Sequence, residues 1–475
     1  MDNKDLNENS EAKEKKTKNS LTKNISLNSV SIVLQKGIAF FLTPVVTRIM
    51  TPDQYGFAST YTSFFAILAC FLGVQAYSSI QNAILDYDKN TIKKYLSSIM
   101  SLAFSTFVLF LIVTQIFANQ ISELLQMNVL LVRLMAVHCF GTFCVGFVTT
   151  YFTGTKQVLK NLIINLVLAI TISGSSILLA YFSAEAHIGY LIGTAIPNIL
   201  FGAIFFVIVL AKGKCFFDKK YWKYCIIICL PLIFHVLSSI ILNQMDRIML
   251  RYMIGESSVG VYTLAYNFVQ IIAIIWSALN AAYIPFYFDD LKAKNHERLR
   301  KNVNGLMKTM TICCAGFIFV CPEVVKLMSE AEYWIAIPLM PILAVGIFFT
   351  VLYNFASNYE YYYKKNIYMA IGTILASAIN IGLNYLLIPK FDIYGAAIAT
   401  AISYVILFIF HDCISRFVIK QYPIKFKMFL PWIALVLSAV PIFYLTIDIW
   451  WIRWTLGVAL AVYYLITVIK KKALI

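Results

Sequence analysis

The chain has 475 residues, of which 60% are hydrophobic and only 13% charged. A soluble domain carries about 25% charged residues, so water cannot be the solvent for most of this surface. The net charge of +16 would suggest nucleic acid in a soluble protein. In a chain this apolar it reads instead as basic residues gathered in loops on one side of a membrane, and nucleic acid is excluded as a partner.

Residues 1–24 are polar, rich in Lys, Asn and Glu, and lack aromatics. This tail cannot bury a core and is expected to be a disordered cytoplasmic extension. Apolar runs long enough to cross a bilayer, about 20 residues each, then follow one another to the C-terminal end. They fall near 26–49, 55–83, 95–118, 129–152, 162–182, 189–211, 225–246, 260–284, 303–327, 335–357, 367–388, 394–415, 428–447 and 451–469. The predicted fold class is all-α integral membrane, with about 14 transmembrane helices. Most cysteines, such as Cys70, Cys144, Cys229 and Cys321, sit inside these runs, and no C-x-x-C pair occurs. Neither a metal site nor a redox motif is indicated.

With the N-terminus placed in the cytoplasm, the inner segments hold 31 of the 39 Lys and Arg residues and the outer loops hold five. This bias predicts a multi-pass protein with both termini cytoplasmic. The outer loops are too short to fold an extracytoplasmic domain, so the function must lie within the membrane.

The chain repeats itself at an offset of about 200 residues. Span one ends Thr47-Arg48-Ile49-Met50, followed by Tyr55-Gly56; span seven ends Asp246-Arg247-Ile248-Met249, followed by Val259-Gly260. Span six opens Gly189-Tyr-Leu-Ile-Gly-Thr-Ala-Ile196 and span twelve Gly395-Ala-Ala-Ile-Ala-Thr-Ala-Ile402, both with small residues spaced for close helix approach. Six spans per half make the repeat parallel. The expected organisation is an N-terminal six-helix bundle (25–211), a cytoplasmic linker (212–224), a pseudo-symmetric C-terminal six-helix bundle (225–416), and two extra helices with a cytoplasmic end (417–475).

The stretch Arg48-Ile-Met-Thr-Pro-Asp-Gln-Tyr-Gly56, together with Asp246-Arg-Ile-Met-Leu250, resembles the Wzx-like polysaccharide flippase family of the multidrug/oligosaccharidyl-lipid/polysaccharide superfamily. The resemblance implies a V-shaped pair of bundles around a central cavity in a bacterial cytoplasmic (inner) membrane. It implies transport of polyprenyl-pyrophosphate-linked oligosaccharide by alternating access for O-antigen-like or capsule-like surface polysaccharide. Membrane lipid, a glycan polymerase and glycosyltransferases are the partners it implies. No cofactor is expected, and coupling to an ion gradient or to the membrane potential stays open.

Ionisable residues inside a membrane usually face a wet cavity. Lys36 lies near the middle of span one and is read as a cavity cation facing an anionic headgroup, or else as a lysine paired inside the bundle. In span seven, His235, Ser239, Asn243 and Arg247 recur every four residues and are expected to share one face, with Leu242 on the lipid side. Asp246 and Arg247 are read equally as substrate contacts or as an ion pair locking the outer gate. Arg48 is expected at the position matching Arg247, and Arg133 to reach either the cavity or the interface. Span eight (Tyr262, Tyr266, Gln270, Ser277, Asn280) and span eleven (Thr373, Ser377, Asn380, Asn384) carry further polar stripes. His411-Asp412 reads as helix capping. A multidrug or cation antiporter on the same fold would need deep carboxylates, which are scarce within the spans. A glycan polymerase or acyltransferase would need a catalytic outer loop. The basic inventory favours a flippase, a transporter and not an enzyme, because fixed cations in a low-dielectric cavity suit a pyrophosphate.

Overall fold

The computed structural model describes residues 37, 38 and 40–471, with side chains to 467. Lys36 and the tail 1–24 lie outside the described residues. The chain runs α1 (Phe40–Ile49), α2 (Pro52–Phe71), α3 (Ile80–Asp86), α4 (Thr91–Ile116), the short α5 (Ala118–Leu125), α6 (Val129–Gly154), α7 (Val158–Phe182) and α8 (Ala186–Gly213). It continues through α9 (Lys219–Met253), α10 (Glu256–Lys292), α11 (His296–Met328), α12 (Met340–Tyr362), α13 (Ile367–Phe391), α14 (Ile393–Cys413), α15 (Leu430–Leu445) and α16 (Trp450–Lys471). Among the described residues, twelve helical segments are long and apolar enough to cross a membrane. α1, the described part of span one, and α16 complete the predicted fourteen.

Span two is broken where the sequence predicts one helix. α2 and α3 are separated by Leu72–Ser79, in which Gly73, Val74 and Gln75 all have positive φ. Irregular backbone at membrane depth is tolerated only inside protein, and here Leu72, Gly73, Gln75 and Ala76 are buried. The Gly73 N–H donates to Thr106 Oγ1 at 3.1 Å, and a Cβ on Gly73 would strike the Phe143 ring at 2.4 Å.

Two cores form. One joins α2–α6 and α8 to Tyr221, Cys225 and Cys229 at the start of α9. The other joins Leu242 and Leu250, further along α9, to α10–α15. The 35-residue α9 thus begins in the first core and ends in the second. Leu242 is buried, not lipid-facing.

The repeat has a physical counterpart. In the first bundle, Cβ atoms on Gly189 and Gly193 of α8 would lie 2.2 and 2.4 Å from the α7 carbonyls of Leu179 and Ser175. In the second bundle, a Cβ on Gly395 of α14 would lie 2.4 Å from the α13 carbonyl of Leu387. Both pairs pack backbone against backbone, which only small residues permit.

Candidate substrate site between the bundles

The two bundles meet at the end opposite the lysine-rich loops. α2 crosses α10 with no space for side chains: a Cβ on Gly56 would lie 1.8 Å from the Glu256 carbonyl, and one on Gly260 would lie 2.0 Å from the Pro52 carbonyl. These contacts are reciprocal, since residue 56 meets 256 and residue 260 meets 52. Ser59 and Thr263, one turn further along each helix, share a hydrogen bond of 2.7 Å. Each partner has its repeat equivalent on the other side, the mark of a two-fold contact.

The same exchange recurs at the rim. The Tyr333 hydroxyl donates to the Met50 carbonyl at 2.8 Å, so the end of α1 meets the loop after α11. Arg251 donates to the Leu125 and Gln126 carbonyls at 3.0 and 2.7 Å, so the end of α9 meets the loop after α5. Local chemistry sets α2 for this crossing. Thr51 and Gln54 cap each other's backbone N–H, and Pro52 occupies the first turn, a capping box that fixes where the helix starts.

Beneath the seam lies a run of cavities. One of about 250 Å³ is lined by Tyr55, Ser59, Gln244, Arg247, Thr263 and Asn267, among others. It shares Tyr55, Tyr190 and Asn267 with a cavity of about 500 Å³ that α1 and α7 also line, through apolar residues such as Phe40 and Ile172. Gln270 joins this space to a polar cavity of about 310 Å³ within the second bundle, walled by Ser239, Asn243, Ser277, Asn280, Asn354 and Thr373, among others. Among the described residues, no Asp or Glu lines any of the three.

Among the described residues, Arg247 is the charged group that lines this run. It is 5% exposed. Its Nε–H donates to Thr263 Oγ1 at 3.1 Å, and one terminal nitrogen donates to the Asn243 carbonyl and to Gln244 Oε1 at 2.8 and 3.0 Å. The guanidinium lies 4.9 Å from the centre of the Tyr266 ring. Among the described residues no carboxylate pairs with it.

The Asp246–Arg247 ion pair, one of the two readings of these residues, does not form. Successive helical residues point about 100° apart, and Asp246 turns into the second bundle. There it accepts hydrogen bonds from Tyr262 at 2.7 Å, Thr400 at 2.6 Å and Asn384 at 2.6 Å. Asp246 is 1% exposed and lines none of the three cavities.

Nor does the α9 stripe keep to one face. A step of four residues overshoots a turn by about 40°, so twelve residues rotate the stripe by about 120°. Ser239 and Asn243 face the polar cavity, Arg247 faces the seam cavity, and half-buried His235 lines none of the three. Arg48 is exposed at the rim, 3.6 Å from Glu330, and is not the spatial counterpart of Arg247. Arg251, in the last turn of α9, holds the place in the second bundle that Arg48 holds at the end of α1 in the first. Arg133 is exposed on α6 and lines none of the three cavities.

Sequence reasoning missed Ser59, Gln244, Thr263 and Asn267 of the seam, and Thr350 and Asn354 of the polar cavity. A signal for the latter existed: Thr350, Asn354 and Asn358 recur every four residues. It also missed Glu360, which is fully buried and 2.8 Å from His411 Nδ1. His411 therefore pairs across to α12 rather than capping α14, while Asp412 pairs with Arg416.

Two six-helix bundles related by a two-fold contact and sealed at one end around a central cavity have the architecture of a two-bundle membrane transporter. Residues 21–289 match the family described as "Polysaccharide biosynthesis protein", and residues 231–386 match the MatE family. The chain belongs to the polysaccharide biosynthesis protein family. An uncharacterized membrane protein of Haemophilus influenzae is 20% identical over 371 residues, covering 76% of this chain and 89% of that relative. The fold matches the lipid II flippase MurJ in an inward closed conformation with a TM-score of 0.70 at 16% identity, covering 94% of this chain and 98% of that structure. It matches an inward-facing multidrug resistance MATE transporter of the MOP superfamily with a TM-score of 0.62 at 16% identity, covering 82% and 98%.

Proposed function

We propose that the chain is a flippase for polyprenyl-pyrophosphate-linked oligosaccharide, serving assembly of an O-antigen-like or capsule-like surface polysaccharide in the cytoplasmic membrane. The observation that carries this reading is Arg247, a buried guanidinium in the cavity between the bundles that has no carboxylate partner among the described residues. A buried cation is stable only with compensation. Here neutral acceptors hold the group in place and leave its charge for an anionic ligand.

The neighbouring cavities suit the rest of such a molecule. Amides and hydroxyls in the second bundle offer donors and acceptors to sugar hydroxyls. The apolar wall from α1 and α7 leaves a polyprenyl tail in lipid. The seam closes the end away from the lysine-rich loops, so with those loops in the cytoplasm the cavity takes its load from inside. Rocking about the Gly56–Gly260 crossing would then present the headgroup to the other face. Lys36, outside the described residues, is proposed as a second cation for the pyrophosphate, beside Arg247. A cation antiporter is disfavoured because, among the described residues, the buried carboxylates Asp246, Asp290, Glu360 and Asp412 all lie outside these cavities.

The test is translocation of a fluorescent polyprenyl-pyrophosphate oligosaccharide in proteoliposomes, normalised to inserted protein. Arg247→Lys keeps the charge and retains measurable transport. Arg247→Gln loses charge-assisted contacts of about 1.5–3 kcal/mol each, so transport falls by a factor of about 10 to 100. Undiminished transport by the Gln variant removes Arg247 from the mechanism. Absence of lipid translocation by the parent, together with export of organic cations, overturns the flippase reading.

A further inference from the structure

At its lysine-rich end the first bundle holds a separate cavity of about 510 Å³, within the usual size of ligand pockets, roughly 300–1,000 Å³. It shares no lining residue with the cavities between the bundles. Helices α4, α6, α7 and α8 wall it. The floor is apolar, with Phe147, Ile164, Phe205 and Val209, and the rim carries Lys93, Lys160 and Lys212 from three different helices.

The packing explains the opening. Gly189 and Gly193 clamp α8 to α7 only at the far end. Towards the lysine-rich end α8 turns to other partners: a Cβ on Gly202 would lie 2.5 Å from Gly141 of α6, and one on Gly213 would lie 2.3 Å from the Lys93 carbonyl of α4. α7 packs mainly on α8 and little on α6, so a wedge between α7 and the α4–α6 pair stays open.

The rim is built for an anion. Lys160 Nζ donates to Gln157 Oε1 at 2.8 Å. Among the described residues none of the three lysines makes a salt bridge, and no carboxylate lines the cavity. Three like charges held at one mouth repel one another unless an anion joins them.

We propose that this cavity is a binding site for one anionic phospholipid of the surrounding bilayer. The phosphate sits among Lys93, Lys160 and Lys212, and an acyl chain lies along the apolar floor. A basic pocket between helices at the level of the headgroups recognises anionic lipid by charge. The floor separates this ligand from a free phosphate, which has nothing to place there. Isolation from the central cavities separates it from the transported lipid, and the proposal does not rest on the flippase reading.

The test uses the purified full chain in detergent, titrated with phosphatidylglycerol, phosphatidylcholine, inorganic phosphate and a polyprenyl phosphate, with bound ligand read by native mass spectrometry. Phosphatidylglycerol binds the parent at least about tenfold more tightly than phosphatidylcholine or inorganic phosphate. Lys93→Gln/Lys160→Gln/Lys212→Gln loses about tenfold or more of that affinity, and Val209→Trp, which fills the floor, loses a similar factor. Lys89→Gln/Lys94→Gln/Lys214→Gln, the same charge change on exposed lysines outside the cavity, retains it. All six lysines are exposed, so the thermal midpoints of both triple variants match the parent. Equal loss in the two triple variants means general surface attraction and overturns the site. So does equal binding of phosphatidylcholine or free phosphate, or a polyprenyl phosphate affinity that falls in the Lys93→Gln/Lys160→Gln/Lys212→Gln variant as far as the phosphatidylglycerol affinity does.

Discussion

Gly189 and Gly193 of α8 pack against α7 in the first bundle as Gly395 of α14 packs against α13 in the second, and the Gly56–Gly260 crossing treats both halves alike. What the helices enclose is different. The first bundle surrounds aromatic and sulfur-containing packing: Phe107 stacks on Phe140 at 4.4 Å, and Cys139, Cys144 and Phe147 are buried. The second surrounds a hydrogen-bonded interior, with Asp246 among Tyr262, Thr400 and Asn384 and with Glu360 on His411. A repeat conserves the places where backbones touch, because those tolerate almost no change in volume. The spaces between can diverge, and chemistry has been written into one of them.

Breaking the shared element has the largest expected effect. Gly56→Leu drives a side chain into the Glu256 carbonyl, so closure of the seam loses on the order of 3 kcal/mol, about a hundredfold in the sealed population. Each bundle keeps its own core. In a Cys-free background, Ser59→Cys with Thr263→Cys forms a disulfide readily, because the native oxygens lie 2.7 Å apart. Adding Gly56→Leu abolishes that cross-link and translocation together. Cross-linking that survives the leucine shows that the crossing is not what holds the bundles together.

The second test addresses the contrast between the interiors. Asp246→Ala strands three donors in the second bundle, with a loss of about 3 kcal/mol of stability in detergent, given about 1 kcal/mol per membrane hydrogen bond. Asp246→Asn keeps the shape and part of the bonding and falls about halfway. Unfolding is followed by scanning fluorescence. If Asp246→Ala melts with the parent, the polar interior contributes nothing to stability and serves another purpose.

How much of this was legible follows from what each feature depends on. The spans and the two-bundle plan follow from apolar runs and the repeat, both local properties of the chain. Gly56 and Gly260 were visible as repeat partners, but their contact with each other was not, since apposition across a two-fold axis leaves no mark within either segment. The α9 stripe was visible as spacing and misjudged as one face, because four-residue steps accumulate rotation. An Asp246–Arg247 ion pair, one of two readings the sequence left open, is ruled out for a related reason: neighbours in sequence diverge on a helix. Glu360 escaped notice because it lay just beyond the predicted end of span ten, whereas α12 carries it on to Tyr362.

The break in span two sharpens the comparison at its finest scale. The second bundle's α10 is the repeat partner of α2, yet it runs unbroken from Glu256 to Lys292, while α2 gives way to the left-handed Gly73, Val74 and Gln75. Such backbone persists only when its surroundings hold it. Thr106 is one support, accepting from the Gly73 N–H. Thr106→Val keeps the shape and removes the acceptor, so one buried N–H loses its partner. The expected loss is about 1 kcal/mol, within the range for single hydrogen bonds in membrane proteins. Hydrogen exchange reads the consequence where it should be confined: amides of Leu72–Ser79 exchange about fivefold faster in the variant, following RT ln K for that energy, and amides of α10 are unchanged. Faster exchange in both helices would mean that Thr106 supports the bundles as a whole. No change in either would mean that burial by Phe143 alone fixes the break.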